Sequence, residues 1–153
     1  PLEEYEHGMA MDVIALTDVI EETGTGAPST AHEQAPEDTV FIAVGTGIVD
    51  KDGEDISSKG RVLLFEVKKT EHGSTTRRHD PNKSLASLVE LSLTYEKNIS
   101  LGPVTSLNAL TCEGKTRVVV GAGAEITIEQ WGGGKLTQVG FFHANMQVKE
   151  ITL

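Results

Sequence analysis

The sequence predicts an all-β protein, and three kinds of pattern support this prediction. A continuous apolar run over Val40–Val44 and a second run over Val62–Val67, apolar on both faces, are typical of strands that are covered on both faces. Alternation of apolar and polar residues over Leu88–Tyr95 indicates a strand with one exposed face, at the outside of a sheet. No stretch combines a capping residue with the periodicity of an amphipathic helix. We therefore expect strands, and not helices, to carry the fold.

The two apolar runs form the centre of the predicted sheet. The first lies in a strand over 39–46 and the second in a strand over 61–69. Gly45 and Gly47 allow the chain to leave the first strand at unusual backbone angles. The connection Asp50–Lys59 is rich in Asp, Gly and Ser, which is typical of a loop. Because both strands are apolar on both faces, they need further strands on either side.

Two more strands flank this pair and are joined to it by longer connections. A strand over 9–17 precedes it, with alternate residues on opposite faces. The segment 21–38 is rich in Gly, Thr, Pro and Glu, contains almost no large apolar residue, and is predicted to be a long flexible loop. A second polar insert over 70–86 leads to the outer strand, predicted over 87–97.

Shorter turns separate the strands of the C-terminal half. Strands are predicted over 103–110, 116–120, 124–130 and 135–142. In the third of these strands, Ile126 and Ile128 alternate with polar residues and are predicted to face inward. A further strand is expected to begin at Met146 and to end at Ile151.

The first eight strands divide into two successive four-stranded meanders, over 9–97 and 103–142, and 146–153 would begin a third. Consecutive meanders of this kind are typical of propeller blades, so we predict a partial β-propeller. A single sandwich or barrel is the alternative. A propeller needs about four or more blades to close its ring, so two blades would leave an apolar face open. The isolated chain is therefore expected to self-associate.

Composition and charge exclude several classes of function. Hydrophobic residues make up 38% of the 153 residues, which is enough for a core. No run approaches the roughly 18 apolar residues of a membrane-spanning helix. The net charge is −10, and residues 1–60 carry 14 acidic and 2 basic side chains, which repel nucleic acid at long range. The single cysteine, Cys112, excludes an intramolecular disulfide and fits a reducing compartment, the nucleus or the cytosol.

The residue types that carry catalysis or hold metals do not occur in a usable pattern. Spacing assembles no Ser, His and acid trio and no buried pair of acids, so we expect a protein that is not an enzyme. The carboxylates are densest at Asp50, Asp52, Glu54 and Asp55. Their spacing differs from that of a calcium-binding EF-hand loop, and predicted strands flank them. We expect no metal and no cofactor.

One basic cluster stands out in this acidic chain. It comprises Lys68, Lys69, Arg77, Arg78 and Lys83. A solvated loop is the simpler interpretation. The alternative is a contact with RNA or with an acidic partner, because lysine and arginine side chains neutralise phosphates and release their counterions.

Several motifs resemble those of one family of large scaffold subunits. Phe-Ile-Ala-Val-Gly-Thr over 41–46, and the Gly-Arg-hydrophobic motif over 60–65, resemble a superfamily with members in polyadenylation, damaged-DNA binding and splicing. Further local motifs resemble its polyadenylation branch: Tyr-Glu-His at 5–7, Gly-Glu-Asp at 53–55, Tyr-Glu-Lys at 95–97 and Gly-Pro-Val-Thr at 102–105. The whole chain thus resembles the C-terminal propeller region of the largest subunit of the cleavage and polyadenylation specificity factor.

This resemblance implies a nuclear scaffold and not an enzyme. Subunits of this kind hold a WD-repeat partner and a zinc-finger partner that read the polyadenylation hexamer, while the scaffold's own contacts with pre-mRNA are secondary. The alternative is the equivalent segment of a sister scaffold in DNA repair and ubiquitin ligation or in splicing. The chain departs from the family in its long polar inserts and at 123–124, where Gly-Ala stands in place of the usual Gly-Gln.

Overall fold

The computed structural model describes residues 2–18, 38–49, 59–69 and 89–152, which form eight β-strands and no helix. The strands are β1 (Glu6–Thr17), β2 (Asp38–Ile48), β3 (Gly60–Lys69), β4 (Val89–Ile99), β5 (Val104–Cys112), β6 (Lys115–Ala122), β7 (Glu125–Gly132) and β8 (Lys135–His143). The predicted all-β class is confirmed. Within these ranges, no helix exists that could cross a membrane.

The strands form two four-stranded antiparallel sheets, each a simple meander. The first sheet has the order β1-β2-β3-β4 and the second the order β5-β6-β7-β8. The predicted pair of meanders is therefore confirmed, and the two sheets are consistent with blades of a propeller that is not closed. The predicted loop over 70–86 lies outside the described residues, as does the loop over 21–38 apart from Asp38, with which β2 begins.

Two-residue turns explain how the hairpins of the second sheet form. Cys112 pairs with Lys115, and between them Glu113 and Gly114 adopt φ angles of 54° and 70°. The turn between β7 and β8 is similar, with Gly133 and Gly134 at 58° and 74°. Positive φ at both central residues is the geometry whose twist matches that of the flanking strands.

The two sheets repeat the same irregularities at the same places. In each sheet, a bulge in the first strand leaves one residue without a partner, Met9 in β1 and Thr105 in β5. A second bulge interrupts the pairing of the last two strands, at Thr94 in β4 and at Val139 in β8. Shared bulges fix a common register, and the two sheets are therefore two copies of one structural unit.

The core lies between the two sheets. The first sheet contributes Ile14, Leu16, Phe41, Ala43, Val62 and Leu64, and the second contributes Val104, Leu107, Val118, Val120, Ala122, Trp131 and Leu136. The strands β1 and β2 lie against β5, so the first strands of the two sheets come close together. On the face of each sheet that points away from this interface, the central strands also bury a hydrophobic residue, Leu63 in β3 and Val119 in β6.

Glycine permits the closest contact between the sheets. A Cβ atom on Gly45 would lie 2.4 Å from Cγ1 of Val104 and 3.0 Å from its carbonyl oxygen. The predicted reason for this glycine was wrong: Gly45 lies inside β2, and its φ is not in the left-handed region. It is needed because β5 approaches the backbone of β2 directly.

The inward face predicted for β7 was also wrong. Ile126 and Ile128 are only half-buried, while Thr127, Glu129 and Trp131 are buried. The face with Glu129 and Trp131 packs on the first sheet, where both side chains find partners. The two isoleucines point to the opposite side, which the first sheet does not cover.

The strand predicted over Met146–Ile151 is not formed. Two of its backbone groups bond to side chains of β5: Thr105 donates its hydroxyl to Val148 O (2.7 Å), and Ile151 N–H donates to Ser106 Oγ (3.0 Å). Val148 N–H donates to Gly123 O (2.7 Å), which lies in a turn and not in a strand, so no backbone ladder develops. The segment nevertheless covers part of the outer face of the second sheet.

Candidate interaction surfaces

The predicted basic cluster is only partly described by the structure. Lys68 lies in β3 with its side chain half exposed, and its Nζ is 3.3 Å from Glu66 Oε2. Lys69 ends the same strand. Arg77, Arg78 and Lys83 lie outside the described residues. The structure therefore does not test whether these five side chains come together, and their role stays a prediction.

Of the other residues considered from the sequence, the structure describes only Cys112. The carboxylates of Asp50, Asp52, Glu54 and Asp55 lie outside the described residues. Cys112 is exposed and carries no disulfide. In the ranges that the structure describes, no three His, Cys, Asp or Glu side chains are grouped so that they could hold a metal ion.

A buried ion pair ties the start of β1 to the first sheet. Arg61 donates from Nε to Glu6 Oε1 (2.9 Å), and its Nη2 donates to the other oxygen of the same carboxylate. Thr46 adds its hydroxyl to Glu6 Oε1 (2.5 Å). Glu3 and Glu96 lie within 3.4 Å of Arg61 Nη1 at the rim. This fork-like pairing is the strong form of a charged hydrogen bond.

The electrostatics of this pair are dominated by the arginine. The pKa of Glu6 is lowered from 4.5 to about 2, chiefly by the hydrogen bonds from Arg61 and, to a smaller extent, by the one from the Thr46 hydroxyl, against the opposing effect of burial. The sequence-based reading missed this pair, although both residues lie in motifs it had quoted. Glu6 and Arg61 are 55 residues apart, and only the register of β1, β2 and β3 brings them together.

A second ion pair joins the two sheets. Lys97 in β4 donates to both carboxylate oxygens of Glu129 in β7, at 2.8 and 2.7 Å. The Glu129 side chain is 2% exposed and also accepts a hydrogen bond from Thr127 (3.1 Å). A buried carboxylate needs such partners, because leaving it unpaired in the interior is expensive. These polar groups line a cavity of 150 Å³ between the sheets.

An aromatic cluster fills the same interface next to this ion pair. Trp131 packs against Phe41 with ring centroids 5.1 Å apart and meets Tyr95 edge-on at 5.7 Å. Tyr95 also donates its hydroxyl to Leu136 O at 3.4 Å. Tilted and edge-on pairs of this kind add to the effect of area burial. The interface between the sheets is therefore specific, with apolar, aromatic and ionic contacts side by side.

The outer face of the first sheet is apolar and largely uncovered. The strand register places Met11, Val13, Ile42, Phe65 and Leu93 on the side opposite the core. Met11 is 73% and Val13 is 63% exposed, and Val40 and Leu91 are exposed as well. Contiguous apolar surface of this kind marks an interaction site. The sequence had predicted an open apolar face, and this face is present in the structure.

The second sheet presents a smaller apolar surface along its last strand. Val139, Phe141 and Phe142 of β8 are more than half exposed, and Met146 follows them. In the described residues, β8 pairs with β7 alone, so its other edge carries no strand. Together, the two sheets define a β-protein whose conspicuous features are exposed apolar surfaces.

Comparison with known proteins shows the family to which these sheets belong. The sequence matches the family described as the CPSF A subunit region over residues 1–153, and the chain is a member of that family. It is 30% identical over 117 residues to the protein called probable cleavage and polyadenylation specificity factor subunit 1 in Oryza sativa subsp. japonica, which covers 76% of this chain and 7% of the rice protein. It is 26% identical over 144 residues to cleavage and polyadenylation specificity factor subunit 1 of Arabidopsis thaliana, or 94% of this chain and 8% of that protein. The chain thus spans less than a tenth of the length of these relatives.

Proposed function

We propose that this chain is a scaffold segment of the machinery that cleaves and polyadenylates pre-mRNA 3′ ends, and that it acts through protein–protein contacts. The family membership and the names of the two plant relatives support the process. The uncovered apolar face of the first sheet is the observation that supports a role in protein–protein packing, because an apolar surface of this kind is stabilised when other protein, from the same polypeptide or from a partner, covers it.

The two sheets are proposed to be consecutive blades of one propeller. The first blade is 9–97, the second is 103–142, and 146–153 begins the next. The shared bulges support this division, since they make the two sheets copies of one unit. The packing of β1 and β2 against β5 supports it as well, because the first strands of neighbouring blades converge in a propeller.

The proposed partners are other polyadenylation-factor subunits, a WD-repeat protein and a zinc-finger protein, in the nucleus. No catalytic role is proposed, and contact with pre-mRNA would be indirect. Affinity capture of the full-length protein from nuclear extract is the test, with mass spectrometry of the bound proteins. Recovery of polyadenylation factors is the expected result. Recovery of cullin-ligase or splicing components instead would assign the chain to a sister scaffold.

Direct RNA contact through the basic cluster is a second candidate. The exposed Lys68 side chain supports it, although Glu66 beside it offsets part of the charge. Each phosphate contact should add about 0.7 to the slope of log affinity against log salt on single-stranded RNA. We expect the double variant Arg77→Glu, Arg78→Glu to lower that slope. Absence of binding to RNA containing AAUAAA at low salt, or an unchanged slope, would eliminate this candidate.

A further inference from the structure

The outer face of the second sheet contains a buried donor without an acceptor. Val118 and Val120 of β6 face the first sheet, so the alternating residue Arg117 points the other way. Its Nε is buried and has no hydrogen-bond partner among the described residues. Buried arginine nitrogens are normally paired, and an unpaired one indicates a missing acceptor.

The segment after β8 shows where a further element begins to pack. A Cβ atom on Gly121 would lie 2.9 Å from Cγ1 of Val148, just as one on Gly45 would lie 2.4 Å from Cγ1 of Val104. Gly45 and Gly121 occupy the same position relative to the bulges of their sheets. Val148 therefore makes the contact with the second sheet that Val104 makes with the first. The contact that begins the interface between the two sheets is thus repeated on the outer face of the second sheet.

The shared register matches each residue on the outer face of the second sheet with a residue of the first sheet that contacts the second. Phe41 lies four residues before Gly45, and Arg117 lies four residues before Gly121, on the same face of its strand. Lys97 shares a row with Gly45 in the first sheet, and Phe142 shares a row with Gly121 in the second. At the position of Phe41 in the first sheet, the second sheet thus has Arg117. At the position of Lys97, it has Phe142.

We propose that Arg117 forms an ion pair with a carboxylate on a further four-stranded sheet of the same polypeptide, at the position that Trp131 occupies in the interface described here. Phe142, 64% exposed, packs on an apolar residue of that same sheet in place of the Lys97–Glu129 pair. The proposal rests on the proposed blade arrangement. Continuity with the existing interface supports a sheet of this chain as the partner, and the relatives are long enough to supply one.

A zero-length cross-link in the full-length protein tests this pairing. The variant Arg117→Lys places a primary amine beside the proposed acid, and a carbodiimide then condenses the two into an amide while it is itself hydrated to a urea. We expect a new cross-linked peptide that joins position 117 to an Asp or Glu later in the same chain, and none in the wild-type protein, whose guanidinium does not react. The Lys97–Glu129 pair is the positive control within the same sample.

Two outcomes of this experiment would overturn the proposal. One is a cross-link from position 117 to another subunit, and the other is no product at 117 although the Lys97–Glu129 product forms. Neither outcome depends on the affinity capture that tests the proposed function. If the cross-link is found but no polyadenylation factor copurifies with the protein, the pairing of Arg117 stands and the proposed function is wrong.

Limited proteolysis of the full-length protein gives an independent measurement. Arg117→Met keeps most of the side-chain volume and removes the charge, so its partner acid would be left unpaired. We expect cleavage within 103–142 to become about tenfold faster, because local opening is then favoured, and Arg117→Lys to recover part of the loss. Lys115→Met, an exposed residue on the same strand, should leave the rate unchanged. An Arg117→Met protein as resistant as the wild type, or more so, would contradict the proposal.

Discussion

The two sheets share strand order, register and bulges, but they differ in which residues make contact beyond the sheet. Toward the second sheet, the first sheet presents an aromatic residue at Phe41 and a cation at Lys97. At the matching positions, the second sheet presents the cation Arg117 and the aromatic residue Phe142. The difference shows that backbone geometry, set by bulges and glycines, is repeated, whereas the side-chain contacts that make each interface specific are not.

The largest expected effect comes from breaking the ion pair that joins the sheets. Lys97→Met leaves the Glu129 carboxylate buried without its cation, and we expect the free energy of unfolding to fall by about 3 kcal/mol. Thermal or denaturant unfolding of the protein measures this loss.

The matched control is the double variant Lys97→Met, Glu129→Leu, which removes both charges. It should recover most of the stability, since replacing a whole buried ion pair by apolar side chains is often neutral. A double variant as unstable as the single one would mean that the loss comes from packing, and that charge does not distinguish this interface.

The next largest effect concerns the glycine contact that both sheets share. Gly45→Ala would place a Cβ atom 2.4 Å from Cγ1 of Val104 and 3.0 Å from a backbone oxygen, so the two sheets must move apart. We expect a loss of about 2 kcal/mol in the free energy of unfolding. Gly8→Ala is the control, because its nearest neighbour would be 3.9 Å away. Equal effects of the two substitutions would show that close approach is not the reason for glycine at position 45.

The sequence was sufficient to predict the strands but not the contacts between them. The apolar runs of β2 and β3 and the glycine turns of the second sheet indicated where strands lie, because these signals are local. The face of β7 that packs on the first sheet could not be predicted. The alternating pattern puts Ile126 on one face and Glu129 on the other, and an isoleucine is the usual choice for the buried side. The carboxylate is buried instead because Lys97 of the first sheet pairs with it. The Glu6–Arg61 pair was equally inaccessible, because it depends on the register of three strands.

A pH-dependent effect follows from the Glu6–Arg61 ion pair, which lies within the first sheet. The folded state holds the pKa of Glu6 at about 2, against 4.5 as the ordinary value. Because the folded pKa is the lower one, the stabilisation is fully present above pH 4.5 and is lost as the pH falls toward 2. Denaturant unfolding at a series of pH values measures this loss.

Glu6→Gln should make unfolding less dependent on pH in this range while lowering stability at neutral pH. Glu4→Gln is the control, because Glu4 is exposed and close in sequence. If both variants keep the acid-dependent loss of the wild type, the carboxylate of Glu6 does not cause it.

The smallest expected effect on stability concerns the outer faces, where the two sheets differ most in extent. Val13→Glu lies on the apolar face of the first sheet, and Val139→Glu lies at the bulge of β8. Both residues are more than half exposed, so each substitution should change the free energy of unfolding by about 0.5 kcal/mol at most.

The effects of the two substitutions on association should differ. We expect the isolated chain to self-associate at micromolar concentration through the first-sheet face, so light scattering should report a lower mass for Val13→Glu and little change for Val139→Glu. Each variant adds one negative charge, and a general effect of charge on solubility would therefore lower both equally. A wild-type chain that is already a stable monomer with a cooperative melt would contradict the proposed incomplete propeller and favour a self-contained sandwich, in which the apolar face needs no partner.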